Sequence, residues 1–170
     1  MIAAPVIVYN IYKSPSPVAF WVFFIAGLTD WLDGFLARFY NQESHFGQLL
    51  DPLADKILIT SVIIVLTLCH YLPYWFSFLI IARDLMILVG AFIVQYKKYP
   101  FSLKPLFISK LNTFFQIFLC LCLLAKISFF QQFSGLENLI KGLLYITMGS
   151  TVLSGFSYAK LFYQYFVKAR

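Results

Sequence analysis

Four aspartates lie close together in the first third of the 170-residue chain. Asp30 and Asp33 are three residues apart, and Asp51 and Asp55 are four residues apart, so each pair occupies one face of a helix if its segment is helical. Four carboxylates at short range raise each other's pKa unless cations compensate them. Carboxylate oxygens suit Mg²⁺, Mn²⁺ or Ca²⁺, and two such ions can bind a diphosphate. The aspartates therefore predict a metal-dependent site for phosphoryl-transfer chemistry.

The composition indicates which kind of protein must position these aspartates. Apolar residues make up 61% of the chain and charged residues only 12%, whereas a soluble domain is about half apolar and about a quarter charged. The net charge of +6 is spread over predicted loops and helix ends and forms no basic run, which is typical of contacts with an anionic lipid surface. The sequence thus predicts an integral membrane protein that binds membrane lipids and no nucleic acid.

Six apolar segments are separated by prolines and polar stretches, so the predicted fold is an all-α bundle of six transmembrane helices forming one domain over residues 1–170. A spanning helix needs about 20 residues, so the first segment is too short to cross alone. The short link 39–46 makes the second and third segments antiparallel neighbours, which brings the two aspartate pairs together. The predicted segments are 1–11, 18–38, 47–69, 75–96, 106–124 and 139–167.

Basic residues predict the orientation of the bundle. If the segments alternate across the membrane, most lysines and arginines fall on the side of the amino end and of loops 39–46 and 97–105. The positive-inside rule places that side in the cytoplasm or in the mitochondrial matrix. The predicted aspartate site then opens into a polar cavity facing the same compartment.

Eight residue identities at fixed spacing surround the aspartates, in the stretch DWLDGFLARFYNQESHFGQLLDPLAD. This stretch resembles the signature of the CDP-alcohol phosphotransferase (CDP-alcohol phosphatidyltransferase) family. The resemblance implies a six-helix membrane fold whose members displace CMP from a CDP-linked donor with an alcohol acceptor. The eight positions are Asp30, Asp33, Gly34, Ala37, Arg38, Gly47, Asp51 and Asp55.

The resemblance also implies a role for each of these positions. Asp55 is expected to act as the general base for the acceptor hydroxyl, and Arg38 to contact the diphosphate. Gly34, Ala37 and Gly47 leave room for the substrate, the first two for the cytidine. Two Mg²⁺ or Mn²⁺ ions are expected on the four aspartates, Asp30, Asp33, Asp51 and Asp55.

Three longer stretches are similar to the CMP-forming cardiolipin synthases within this family: LLDPLADK at 49–56, IARDLMIL at 81–88 and LKPLFISKLNT at 103–113. The implied reaction converts CDP-diacylglycerol and phosphatidylglycerol into cardiolipin and CMP. Glycerol 3-phosphate stays open as the acceptor, because phosphatidylglycerophosphate synthases share the first stretch. Arg83 and Lys110 are expected to bind the acceptor, although Arg83 can instead form a salt bridge with Asp84.

The family resemblance further implies a homodimer in a bacterial inner membrane or a mitochondrial inner membrane. Small residues in the sixth segment, such as Ser150 and Ser154, are expected to pack helices together. Family members usually carry a polar stretch before the first helix, and Met1 falls where that stretch should have ended. Either the start is misassigned, the chain is a fragment with a truncated first helix, or this member is reduced.

Two functions of other classes fit a membrane bundle with buried carboxylates. The aspartates could form a cation-conducting path, or the bundle could be structural and pair them with basic residues. A cation path has no need for the intervening Gly34, Ala37 and Arg38, so their presence favours the enzyme.

Overall fold

The computed structural model describes residues 3–13, 17–39, 47–96, 106–130 and 135–168, and every long element within these ranges is an α-helix. The all-α prediction is thereby confirmed for the described part of the chain. The helices are α1 Ala3–Lys13, α2 Pro17–Phe39, α3 Gly47–Leu68, α4 Tyr74–Tyr96, α5 Phe107–Phe129 and α6 Gly135–Lys168.

The helix boundaries match the apolar segments except around the α5–α6 connection. The sequence predicts an end near residue 124 and a restart near residue 139, yet α5 continues to Phe129 and α6 begins at Gly135. Lys126 and Glu137 lie in the added turns, and the Lys126 ammonium donates to the Glu137 carboxylate at 2.9 Å. Both charged residues lie inside helices, although the sequence prediction placed them in a loop because the apolar runs stop before them.

Three helices among the described residues are long and apolar enough to cross a membrane, over Tyr74–Ile93, Phe107–Phe129 and Gly135–Gln164. Among the residues of α2 and α3 whose side chains are described, the apolar stretches are Pro17–Thr29 and Lys56–Leu68. The chain is a membrane protein, and the count of six spans stays a prediction.

The chain divides into two compact units, and the single-domain organisation stays a prediction. Unit 1 comprises Met1–Leu72 and Cys120–Asn138, and unit 2 comprises Pro73–Leu119 and Leu139–Arg170. In unit 1, the short helix α1 packs against both α2 and α3. Ile7 and Ile11, one turn apart on α1, are 0% and 5% exposed, so this helix buries one apolar face. The buried residues of α2 and α3 include Ala19, Phe23, Ile59, Val62, Ile63 and Leu66.

Unit 2 contains α4, the first half of α5 and nearly all of α6. Tyr158 and Phe162 of α6 form a buried pair with ring centroids 6.0 Å apart. The Phe162 ring lies over Gly90 of α4, so closely that a Cβ at this glycine would overlap the ring. Gly90 therefore sets how closely α4 and α6 approach within unit 2.

We expect Gly90→Ala to destabilise the protein by about 1–3 kcal/mol, because the added methyl overpacks the Phe162 ring. Gly149→Ala on α6 is the matched control, since a Cβ there meets nothing within 4 Å. Thermal unfolding of the detergent-purified variants checks the prediction. Equal midpoints for the two variants would contradict the close α4–α6 packing.

Candidate functional site

The aspartate pairs lie on the two helices that flank residues 40–46. Asp30 and Asp33 are in the carboxyl-terminal half of α2, and Asp51 and Asp55 are in the first turns of α3. The backbone is helical through both pairs, so the spacing of three and four residues places each pair on one helix face. An all-carboxylate donor set of this kind fits a hard divalent cation such as Mg²⁺ or Mn²⁺.

The other signature residues follow the same two helices. Gly34, Ala37 and Arg38 lie on α2 after the first aspartate pair, and Gly47 is the first residue of α3. The side chains of all eight signature positions lie outside the part of the chain whose side chains are described. The convergence of the four carboxylates and the contacts of Arg38 therefore stay predictions.

Helix α1 links the two aspartate helices. It packs against α2 and against α3, and its buried residues include Ile7 and Ile11. A helix that touches both neighbours restricts how they can move relative to each other, because close-packed side chains resist displacement. The short first segment thus has a structural role in unit 1 that its length alone does not reveal.

Arg83, which is predicted to bind the acceptor, lies on α4 in unit 2 and is 5% exposed. Its Nη1 donates to Oδ1 of Asp84 at 2.6 Å, and its Nη2 donates to the Ser109 hydroxyl at 2.6 Å. Its Nε donates to the Ser154 hydroxyl at 3.2 Å, and Nη2 also donates to this hydroxyl. The Tyr158 ring centroid is 5.9 Å from the guanidinium carbon, within the range of a cation–π contact.

These contacts explain how a charged side chain is accommodated in an apolar helix. Asp84 is 6% exposed and supplies the opposite charge, and the hydroxyls of Ser109 and Ser154 accept from the remaining edge of the guanidinium. A buried arginine without such partners would be unfavourable in a membrane segment. The structure thus contains the Arg83–Asp84 salt bridge, and binding of an acceptor phosphate by Arg83 stays a prediction.

Lys110, the other residue expected to bind the acceptor, lies on α5 directly after Ser109 and is exposed. Its ammonium is therefore accessible, in contrast to the buried guanidinium of Arg83. Binding of the acceptor by Lys110 also stays a prediction.

A row of polar residues between α5 and α6 in unit 2 is a feature that the sequence analysis missed. On each helix these residues recur at spacings of three and four, so they share one face. The hydroxyls of Ser150 and Thr151 lie 2.7 and 2.8 Å from Oδ1 of Asn112, which joins the two helices. The spacing was visible in the sequence, but the residues are scattered among apolar ones. We call this set the polar seam: Ser109, Asn112, Thr113, Gln116, Thr147, Ser150, Thr151 and Ser154.

We expect Asp84→Asn to destabilise the protein by about 3–5 kcal/mol, because it leaves the buried Arg83 charge without a counter-ion. Glu137→Gln is the matched control, since it breaks an ion pair whose carboxylate is 52% exposed and is expected to cost about 0–1 kcal/mol. Denaturant unfolding in detergent provides the comparison. Similar losses for both variants would show that the Arg83–Asp84 pair is not the main compensation of the buried charge.

Comparison with known proteins gives one matching family model and several relatives. The family model described as CDP-alcohol phosphatidyltransferase matches residues 1–153. A CMP-forming cardiolipin synthase of Rattus norvegicus is 43% identical over 138 residues, covering 72% of this chain and 46% of the relative. The CMP-forming cardiolipin synthase of Homo sapiens is 38% identical over 172 residues, covering 91% of this chain and 56% of the relative.

A bacterial relative matches over more of its own length. The CDP-diacylglycerol–glycerol-3-phosphate 3-phosphatidyltransferase of Blochmanniella floridana is 32% identical over 163 residues, covering 94% of this chain and 84% of the relative. The chain therefore spans about half the length of the rat and human relatives and most of the length of the bacterial one.

Proposed function

Because the chain belongs to the CDP-alcohol phosphatidyltransferase family, we propose that it transfers the phosphatidyl group of CDP-diacylglycerol to phosphatidylglycerol, forming cardiolipin and CMP. The observation that carries the proposal is the helical register of the eight-position signature on α2 and α3. This register keeps each aspartate pair on one helix face, as a shared metal site requires. A cation path or a purely structural bundle needs neither the register nor the intervening small residues.

Divalent metal dependence is general in the family, and the carboxylates of Asp30, Asp33, Asp51 and Asp55 would hold two Mg²⁺ or Mn²⁺ ions. Bound metal ions would neutralise the diphosphate and stabilise the departing CMP. Arg38 would add a forked contact to the same diphosphate, because a guanidinium matches phosphate oxygens in geometry and charge. Gly34, Ala37 and Gly47, without bulky side chains, would leave room for the cytidine and the phosphates.

The reaction then needs one proton transfer by the protein. Asp55 would accept the proton of the acceptor hydroxyl as its oxygen bonds to the phosphatidyl phosphorus. The bond between that phosphorus and the bridging oxygen breaks at the same time, and CMP leaves with the bridging oxygen and its electron pair. Arg83 and Lys110 would bind the phosphate of the acceptor, with Lys110 the more accessible of the two.

Two observations bear on the acceptor. The rat and human relatives are cardiolipin synthases by name, at 43% and 38% identity. This likeness favours phosphatidylglycerol as the acceptor of the present chain. The Blochmanniella floridana relative uses glycerol 3-phosphate by its name, and its 84% coverage keeps that acceptor as the second candidate. In both cases the family chemistry at the aspartates is the same.

The proposed setting is a multi-pass protein of a bacterial or mitochondrial inner membrane, acting as a homodimer. The long apolar helices support the membrane location. The substrates agree with it, since both lipids lie in the bilayer.

We expect Asp51→Asn to lower the rate of CMP release by about 100-fold or more, because the amide is a neutral and weaker metal ligand. Glu43→Gln, the same kind of change at a position that is not one of the eight signature residues, is expected to leave the rate unchanged. Purified variants are compared for CMP release and, by titration calorimetry, for Mg²⁺ and Mn²⁺ binding. A fully active Asp51→Asn protein would contradict the metal site.

We expect the purified protein, given CDP-diacylglycerol and Mg²⁺ or Mn²⁺, to release CMP with phosphatidylglycerol and to form cardiolipin. The lipid product is identified by mass spectrometry, with glycerol 3-phosphate as the competing acceptor. Formation of phosphatidylglycerophosphate alone would move the assignment to the second candidate. No CMP release with either acceptor would overturn the proposed reaction.

A further inference from the structure

Gln116 is a polar residue of α5 whose side chain is fully buried. It is 0% exposed, and neither its Oε1 nor its Nε2 has a hydrogen-bond partner among the described residues. A buried amide left unpaired is destabilising, and more so where lipid replaces water. Apolar packing does not explain why a native protein keeps such a group, so the unpaired amide calls for another explanation.

Asn112, one turn earlier on α5, has the same difficulty. It is also 0% exposed, and its Nδ2 lacks a partner within the described part of the chain. The Ser150 and Thr151 hydroxyls lie near both Asn112 Oδ1 and the Thr147 carbonyl. Each hydroxyl has one proton, so turning the amide lets Nδ2 donate to both hydroxyls, which then donate to the carbonyl. In either orientation one amide atom of Asn112 stays unpaired.

The register of α5 and α6 locates Gln116 along the polar seam. Leu106 N–H bonds to the Tyr158 hydroxyl at 3.3 Å, and Asn112 meets Ser150 and Thr151 farther along. As α5 advances, its partner position on α6 falls, which is the pattern of antiparallel helices. The next turn therefore brings Gln116 to the level of Thr147. The Thr147 hydroxyl already donates to the Leu143 carbonyl at 2.7 Å, which leaves the Gln116 amide without it.

The unpaired atoms define the chemistry of a ligand. An amide offers a donor and an acceptor side by side, and a hydroxyl group can accept from the first and donate to the second. Two hydroxyls on adjacent carbons can bond to Gln116 and to Asn112 together. The polar seam from Asn112 to Gln116 carries amides and hydroxyls and no charged side chain, so it fits a neutral group. Its other end reaches the Ser109–Arg83–Ser154 contacts.

We propose that Asn112 and Gln116 bind the glycerol hydroxyls of the acceptor, as a subsite for a neutral vicinal diol. The inference rests on the proposed function, because it assumes an acceptor with a glycerol head group. Both amides are fully buried, so the diol reaches them by displacing seam side chains. The same diol occurs in phosphatidylglycerol and in glycerol 3-phosphate, and the test separates these two sources.

The experiment measures binding without CDP-diacylglycerol, so that it does not depend on turnover. Purified protein in detergent is titrated with phosphatidylglycerol or with phosphatidylpropanol, which has the same charge and phosphodiester but lacks both hydroxyls. Glycerol 3-phosphate and n-propyl phosphate form the matched soluble pair. The shift of the thermal unfolding midpoint with ligand concentration gives each affinity. The variants are Gln116→Met, Gln116→Asn and, as the control, Thr147→Val.

We expect wild type to bind the hydroxylated member of one pair about 5- to 10-fold more tightly, the equivalent of one or two hydrogen bonds. Preference within the lipid pair identifies the lipid as the source, and preference within the soluble pair identifies the free phosphate. Gln116→Met is expected to lose the preference and to unfold at a higher temperature without ligand, because an apolar side chain removes the unpaired amide. Thr147→Val is expected to keep the preference.

Equal binding within both pairs by wild type would overturn the proposal, and so would a preference that persists in Gln116→Met. If Gln116→Met does not fold, Gln116→Asn takes its place, with a weakened preference expected because its amide is one methylene shorter. A diol preference in a protein that releases no CMP would support the subsite and reject the proposed function. CMP release without a diol preference would support the proposed function and reject the subsite.

Discussion

The compensation of polar and charged groups inside apolar helices is the constraint on which the rest of this structure depends. A membrane interior supplies no water to solvate a charge or an amide, so each such group needs a partner from the protein or from a ligand. Arg83 meets this requirement with Asp84, two serine hydroxyls and an aromatic ring. For the four aspartates, the proposed metal ions would supply the same compensation. Gln116 stands apart, since within the described chain its amide finds no partner.

Most of the helical architecture could be predicted from the apolar pattern, because six runs are separated by prolines or polar residues. The prediction was wrong about the end of α5 and the beginning of α6, where it placed a loop. Lys126 interrupts the apolar run but lies inside the helix, and its ammonium bonds to Glu137. Hydropathy measures how well a residue suits lipid and takes no account of such a pair. Lys126 and Glu137 are eleven positions apart, so no local pattern indicates their contact.

The candidate site was predictable to a different degree in each unit. Residue identities at fixed spacing predicted the eight signature positions, and the helical backbone is compatible with them. The Arg83–Asp84 pair was one of two interpretations, since adjacent opposite charges in an apolar segment favour pairing. Ser150 and Ser154 were interpreted as packing residues, whereas their hydroxyls bond to Asn112 and Arg83. Packing and hydrogen bonding call for the same small residues, so composition could not separate the two roles.

The partners of Arg83 also differ in when they become available during synthesis. The chain emerges from its amino end, so α4 is made before the segments that carry Ser109 and Ser154. Of the partners described above, Asp84 is the residue that enters the bilayer together with Arg83. The hydroxyls can join only after α5 and α6 have been inserted. The adjacent carboxylate thus makes α4 a neutral segment for the insertion machinery, and the later helices convert this neutral segment into a fixed part of the folded protein.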